Sequence, residues 1–232
     1  MPESGSDRAS AAELVTELAR LRGAEPLRNP MLELARNGLV TVHHLRRVVL
    51  VEDMYHRAEL AAYGLLLARF PHSPADVLLL DVARTVQGAR GRLASVARSL
   101  GITLGAATPT ATALRRDVAA HGFCGFVSWL AVNGGQSAMA LALYSEPDGI
   151  YYGGGAAIVH ELRGRGQDVP DDFAEYYTGV PSEEQNDRAL EVVQNGLDSG
   201  ESPSAALDAG RLCDQYMALL WTTAAFAGKG ER

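Results

Sequence analysis

Only two cysteines occur in 232 residues, Cys124 and Cys213, and they stand far apart with no C-x-x-C pair. A disulfide framework or a thiolate metal site needs more cysteines, or closer ones, so neither is expected. Basic patches are lacking too. The 21 Lys and Arg are outnumbered by 28 Asp and Glu, giving a net charge of −7, and no basic run forms a stripe that could neutralise phosphates. Partners of the nucleic-acid or anionic-membrane kind are therefore disfavoured. Nowhere do about 18 uncharged apolar residues follow one another, and Met1 to Ala9 lacks a basic region leading into an apolar stretch. A soluble, cytoplasmic protein is expected. Convincing alternating strands are absent as well. The β-branched run Val48 to Val51 is the one candidate, and its long helical surroundings assign it to a buried helix.

What is present is helix punctuation around an ordinary globular composition, 47% apolar and 21% charged. Ser10-Ala11-Ala12-Glu13 reads as a capping box before the apolar run Leu14 to Leu21. Asn29-Pro30, Ser73-Pro74, Thr108-Pro109 and Ser202-Pro203 each set a capping side chain before a proline suited to the first helical position. Asn37-Gly38, Gly101 and His121-Gly122 read as helix stops. These signals predict helices near 10–22, 30–37, 42–70, 74–100, 109–121, 123–144, 150–163, 171–178, 182–198 and 203–227, an all-α bundle without internal repeats. No long linker divides the chain. One helical domain over 10–227 is expected, between a disordered N-terminal tail at 1–9 and a frayed C-terminus at 228–232.

The richest segment runs from Val48 to Glu59 and sets Glu52, Asp53, Tyr55, His56 and Glu59 among apolar residues. At about 100° per residue, Glu52, His56, Glu59 and Tyr63 fall within roughly 60° of one another, and Asp53 lies on their flank. Two readings are open. Either Glu52 or Asp53, with Tyr55 or His56, projects into a cavity to bind or shuttle protons, or Glu52, His56 and Glu59 are solvated partners along a helix face. Gly153-Gly154-Gly155 admits a ligand near the backbone or, more simply, close helix packing. It follows no strand and lacks phosphate-loop spacing, so a nucleotide cradle is rejected. Trp129, Phe126 and Trp221 read as core.

Several stretches carry a family resemblance. Pro30 to Gly38 with the block Glu52-Asp53-Met54-Tyr55-His56, then Ala140 to Glu146 followed by Tyr151-Tyr152, then Phe173 to Tyr177 and the closing helix from Tyr216 to Trp221, together resemble the TenA (thiaminase II) branch of the heme oxygenase-like fold. The likeness covers nearly the whole chain after residue 10, as pattern more than identity. It implies a heme oxygenase-like helical bundle, a homo-oligomer, no cofactor and a small-molecule substrate. Thiaminase-type members place a cysteine nucleophile shortly before the tyrosine pair, where this chain reads Tyr144-Ser145-Glu146-Pro147. The glutamate-using branch, similar to aminopyrimidine salvage hydrolases, makes Glu146 the implied catalytic residue and Asp214 its acid–base partner. Asp53, His56, Tyr151, Tyr152 and Tyr177 would bind the substrate, with Glu59 assigned to the surface.

Two other classes stand beside this one. A heme oxygenase-like oxidase would need a di-iron site. Asp53-x-x-His56 has suitable spacing, but the segment 74–100 offers only Asp76 and Asp81, and the last helix has no histidine, so no metal is expected. A TenA-like binding protein without chemistry would keep the pocket and lose turnover.

Overall fold

The computed structural model describes residues 9–226, so the expected tails at 1–9 and 228–232 lie, apart from Ala9, outside the described residues. Eleven α-helices and no strand occur among the described residues: α1 (Ala11–Ala24), α2 (Pro30–Arg36), α3 (Val42–Arg69), α4 (Ala75–Ser99), α5 (Pro109–Leu114), α6 (Val118–Asn133), α7 (Gln136–Leu143), α8 (Tyr152–Gly164), α9 (Asp171–Tyr177), α10 (Glu183–Asp198) and α11 (Pro203–Ala225). Local chemistry explains most boundaries. Ser10 and Glu13 satisfy each other's backbone donors, Glu13 N–H donating to Ser10 Oγ at 3.2 Å and Ser10 N–H to Glu13 Oε2 at 2.7 Å. Asn29, Thr108 and Ser202 each accept from the backbone three residues on, at 3.0, 3.1 and 3.3 Å, ahead of a proline. At Ser73-Pro74 the capping expectation fails. Pro74 itself occupies the cap position, in a helical conformation with no side-chain cap.

Gly38 and Gly101 take positive φ, 68° and 69°, and end α2 and α4 with the paired backbone bonds of a left-handed stop. His121-Gly122, by contrast, ends nothing. The helix α6 starts at Asp117, whose Oδ1 accepts from Ala119 N–H at 2.9 Å, and runs through both residues. The missing Cβ at Gly122 leaves room for Leu219 and Tyr216 of α11, whose Cδ1 atoms lie 2.5 and 3.2 Å from where it would stand. The interruption falls instead at Gly134-Gly135. Across it, the Glu201 carboxylate accepts from Gln136 and Ser137 N–H at 2.9 and 2.7 Å, stabilising the positive end of α7.

α3 is buried through most of its length, packed against α4, α6 and α11, and Val48 to Val51 lie within it as helix. α11 returns beside α3 and also packs on α6 and α7. The polar guests of this core are partnered where they are structural. Arg47 of α3 donates to Thr223 O at 3.1 and 2.9 Å, satisfying a carbonyl at the α11 terminus. Trp221, almost wholly buried, donates through Nε1 to Ile150 O at 2.7 Å. It fixes the chain entering α8 against α11. The triple glycine serves this junction. A Cβ on Gly153, Gly154 or Gly155 would meet Asp148 backbone, Asn29 Nδ2 or Tyr177 O at 2.8, 2.9 and 2.7 Å, so close packing is the reason for the glycines.

Candidate active site

A cavity of about 650 Å³ opens among α3, α4, α6, α8, α9 and α11. Its inner part is built on one face of α3. Glu52, His56, Glu59 and Tyr63 project together because residues four and three apart stack on a helix, as the angular reading predicts. Glu52 is 4% exposed, and its Oε1 accepts from the Tyr151 hydroxyl at 2.7 Å. His56 Nε2 lies 3.4 Å from the same oxygen, and 3.0 Å from the Tyr176 hydroxyl. Glu52 Oε2 and His56 Nδ1 have no partner, nor does the hydroxyl of Tyr55, which also lines the cavity. Leaving a buried polar atom unmet costs about 1–3 kcal/mol, and all three atoms belong to residues of one cavity wall, which makes that wall the candidate place for a ligand's polar groups.

The electrostatics are set by burial. Burial and then the charge of Glu52 push the Tyr151 and Tyr176 hydroxyls well up, which keeps both protonated as donors. Burial alone would pull His56 down. The hydrogen bond and charge of Glu52, reinforced by Glu59 and Asp53, outweigh it and raise His56. Burial pushes the Glu59 carboxyl up to about 7. His56 pulls it back, Glu52 pushes it further up, and the Tyr63 hydroxyl, donating to Oε1 at 3.3 Å, pulls it down again. Glu59 thus lines the cavity, half-buried, and is not paired on the outer surface as the resemblance suggested.

The outer part is built differently. Arg22 of α1 reaches across to α11, its Nε and Nη2 both 2.8 Å from the two oxygens of Asp214, and its Nη1 is 3.1 Å from Glu146 Oε2. Glu146 sits in the link between α7 and α8. That link is clamped by Asn186 of α10, which accepts from Ser145 N–H at 3.1 Å and donates to Ser145 O at 2.6 Å. The structure therefore brings Glu146 and Asp214 together, but through a guanidinium. Both Asp214 oxygens are engaged by it. Asp214 orients Arg22 and is not placed to exchange a proton with a substrate.

Of the residues expected from the sequence, His56, Tyr151, Tyr152, Glu146 and Asp214 line the cavity. Asp53 and Tyr177 do not. Asp53 is nearly buried, and its carboxylate is held by Arg57 one turn on, at 2.6 Å. Glu52, one residue earlier, occupies the inward position. Tyr177 packs its ring on Phe173 and Trp221 at 4.6 and 6.1 Å between centroids, and its neighbour Tyr176 faces the cavity. One helical step of 100° separates each pair. Tyr55, one of the alternatives that the helical block offers, also lines the cavity, whereas no local motif marks Arg22 or Asn186. Both cysteines are poor nucleophiles, since burial pushes the Cys124 thiol up to about 11 and raises Cys213, which lines the cavity, further still. Among the described residues, no three His, Cys, Asp or Glu converge as a metal site, and no helix is long and apolar enough to cross a membrane.

No protein-family model and no curated protein matches the chain. The structure is similar to that of a TenA homologue from Pyrococcus furiosus, with a TM-score of 0.62 at 15% sequence identity, over 92% of this chain and 98% of that one. At that identity the likeness is one of architecture. The protein has an all-helical, TenA-like fold.

Proposed function

We propose that the cavity is the active site of a cofactor-independent hydrolase that cleaves a C–N bond of a small planar nitrogen heterocycle, an aminopyrimidine of the thiamine-salvage kind. The observation that carries this reading is Glu52: a carboxylate 4% exposed in the cavity wall, fixed by Tyr151 through one oxygen, with the other buried and unpartnered. An amino group beside a ring nitrogen presents the donors that such an oxygen lacks. Tyr151, Tyr152 and Tyr176 supply aromatic faces for the ring, and His56 and Tyr55 add polar contacts at its edge. Glu146, held by the Asn186 clamp and by Arg22, activates water. The overall reaction replaces the C–N bond by C–O, with water supplying the oxygen and ammonia leaving. Asp214 acts by positioning Arg22.

The TenA-like fold supports the reaction class. Thiolate chemistry has no support, since both thiols are held protonated at neutral pH. A homo-oligomer acting in the cytoplasm completes the reading. Trp129, expected in the core, is exposed beside Val132 on α6, and the two favour self-association, which light scattering tests directly. Ammonia release from 4-amino-5-(aminomethyl)pyrimidine tests the activity. The wild type is expected to release it, and Glu146→Gln to lose about 10²–10⁴-fold in kcat with KM little changed. Binding of the pyrimidine with no release by the wild type would reduce the protein to a binding module.

A further inference from the structure

The inner part of the cavity pairs Glu52 with His56, 3.4 Å away, and gives the Glu59 carboxyl the Tyr63 hydroxyl as its hydrogen-bond donor. Two carboxylates of α3, Glu52 and Glu59, face it together with a single histidine, and Glu52 Oε2 is unpartnered. Around them stand aromatic faces, among them Tyr55, Tyr63, Tyr151 and Phe123. Carboxylates inside an aromatic wall favour a planar cation, through charge-assisted hydrogen bonds at its edge and attraction to the rings over its face.

The groups facing Glu59 from each packed element sharpen the point. Tyr63 contacts it at 3.3 Å; Glu52, His56 and Tyr55 of α3, Cys124 of α6, Tyr152 of α8, Tyr176 of α9 and Cys213 of α11 are within electrostatic reach of it, and Arg92 of α4 lines the same cavity. None of the partners from α6, α8, α9 or α11 is a cation. Arg92 of α4 acts on Tyr152 and Tyr176, and Arg22 is engaged by Glu146 and Asp214. Glu59 therefore has no fixed positive partner but His56, and its ionised form waits for one.

We infer that this chamber takes its ligand as a cation, a protonated amine or ring nitrogen on a planar frame, and that Glu59 gives up its proton to solvent as the cation enters. One carboxyl becomes a carboxylate and one positive charge arrives, so the charge of the chamber is conserved. The inference rests on the cavity being a ligand site and adds the ligand's charge state and the group that answers it. Since burial holds Glu59 near 7 in the free protein, about half a proton is released per cation bound at pH 7.

Calorimetry of benzamidine, cationic throughout the range, tests this in phosphate and in Tris. The expected result is a binding heat that depends on the buffer and an affinity about tenfold higher at pH 8 than at pH 6. Benzamide, its neutral counterpart, should bind much more weakly, and Glu59→Gln should bind benzamidine with no proton release from that position. Proton release that persists in Glu59→Gln assigns it to His56 and overturns the proposal, as does a wild-type affinity that is flat with pH. Binding of 4-aminopyrimidine with benzamide bound as tightly as benzamidine overturns the inference alone. Failure of all three probes overturns the ligand-site reading with it.

Discussion

The two ends of the cavity hold similar residues in opposite states. At the outer end, Glu146 and Asp214 are carboxylates bound to Arg22, with both Asp214 oxygens taken at 2.8 Å. At the inner end, Glu52 and Glu59 are carboxylates with no arginine or lysine against them, and Glu52 keeps one oxygen unpartnered. A carboxylate whose charge is met inside the protein holds the structure in place. One buried without its partner is destabilising by itself, and such a site persists where a ligand supplies what is missing. Under the proposed function the inner end binds the ligand, and Glu146 activates water at the outer end while Asp214 holds Arg22 in place.

The largest expected effect would break that division. Glu146→Gln should lower turnover of an aminomethyl pyrimidine by about 10²–10⁴-fold while leaving calorimetric affinity within about threefold. Asp214→Asn keeps one acceptor for Arg22 and should cost stability, about 1–3 kcal/mol in denaturant unfolding, before it costs affinity. If Asp214→Asn weakened ligand binding more than it weakened the fold, the outer end would be a binding site and the division would fail.

Much of this arrangement could be read from the sequence. The helical phase of Glu52, His56, Glu59 and Tyr63 is visible as spacing, and all four face the cavity. The family resemblance points to Asp53 and to a surface Glu59, whereas Glu52 and Glu59 are the α3 carboxyl groups that line the cavity. Helical geometry alone sets Glu52 and Asp53 about 100° apart, and Arg57 lies one turn along to claim Asp53. Tyr176 and Tyr177 show the opposite difficulty. Their pattern says that one faces inward, and only the packing of Phe173 and Trp221 decides which. Arg22 and Asn186 were illegible, since each acts on residues more than 40 positions away. Gly122 reads as a helix stop in the sequence, because a glycine within a helix packed against side chains of α11 looks the same as one that ends a helix.

A smaller effect sharpens the inner end. Glu59 has a raised carboxyl, so between its ordinary value and about 7 the unfolded chain has already lost the proton that the folded chain retains. Stability from this group is thus full at low pH and is lost as pH rises through about 7. Glu59→Gln should gain stability at pH 8 by about 1–3 kcal/mol and gain almost none at pH 4, as thermal or urea unfolding at the two pH values would show. An equal gain at both would mean that the carboxyl is hydrated and its charge unopposed.

The smallest effect separates the adjacent tyrosines. The Tyr177 hydroxyl is buried and unpartnered, so Tyr177→Phe should be neutral or slightly stabilising, within about 0.5 kcal/mol, with binding unchanged. Tyr176→Phe removes the partner of His56 Nε2 and should weaken pyrimidine binding severalfold. Reversed results would place Tyr177 in the site.

The central claim is that the unpartnered oxygen of Glu52 is the ligand's anchor. Calorimetric titration of 4-aminopyrimidine into the wild type and into Glu52→Gln tests it most directly, with unfolding midpoints measured on the same samples. The expected result is an affinity about 10–100-fold weaker in the variant, the equivalent of about 1.5–3 kcal/mol for a lost charge-assisted hydrogen bond, at equal or higher stability. Equal affinity in the two proteins would contradict the account.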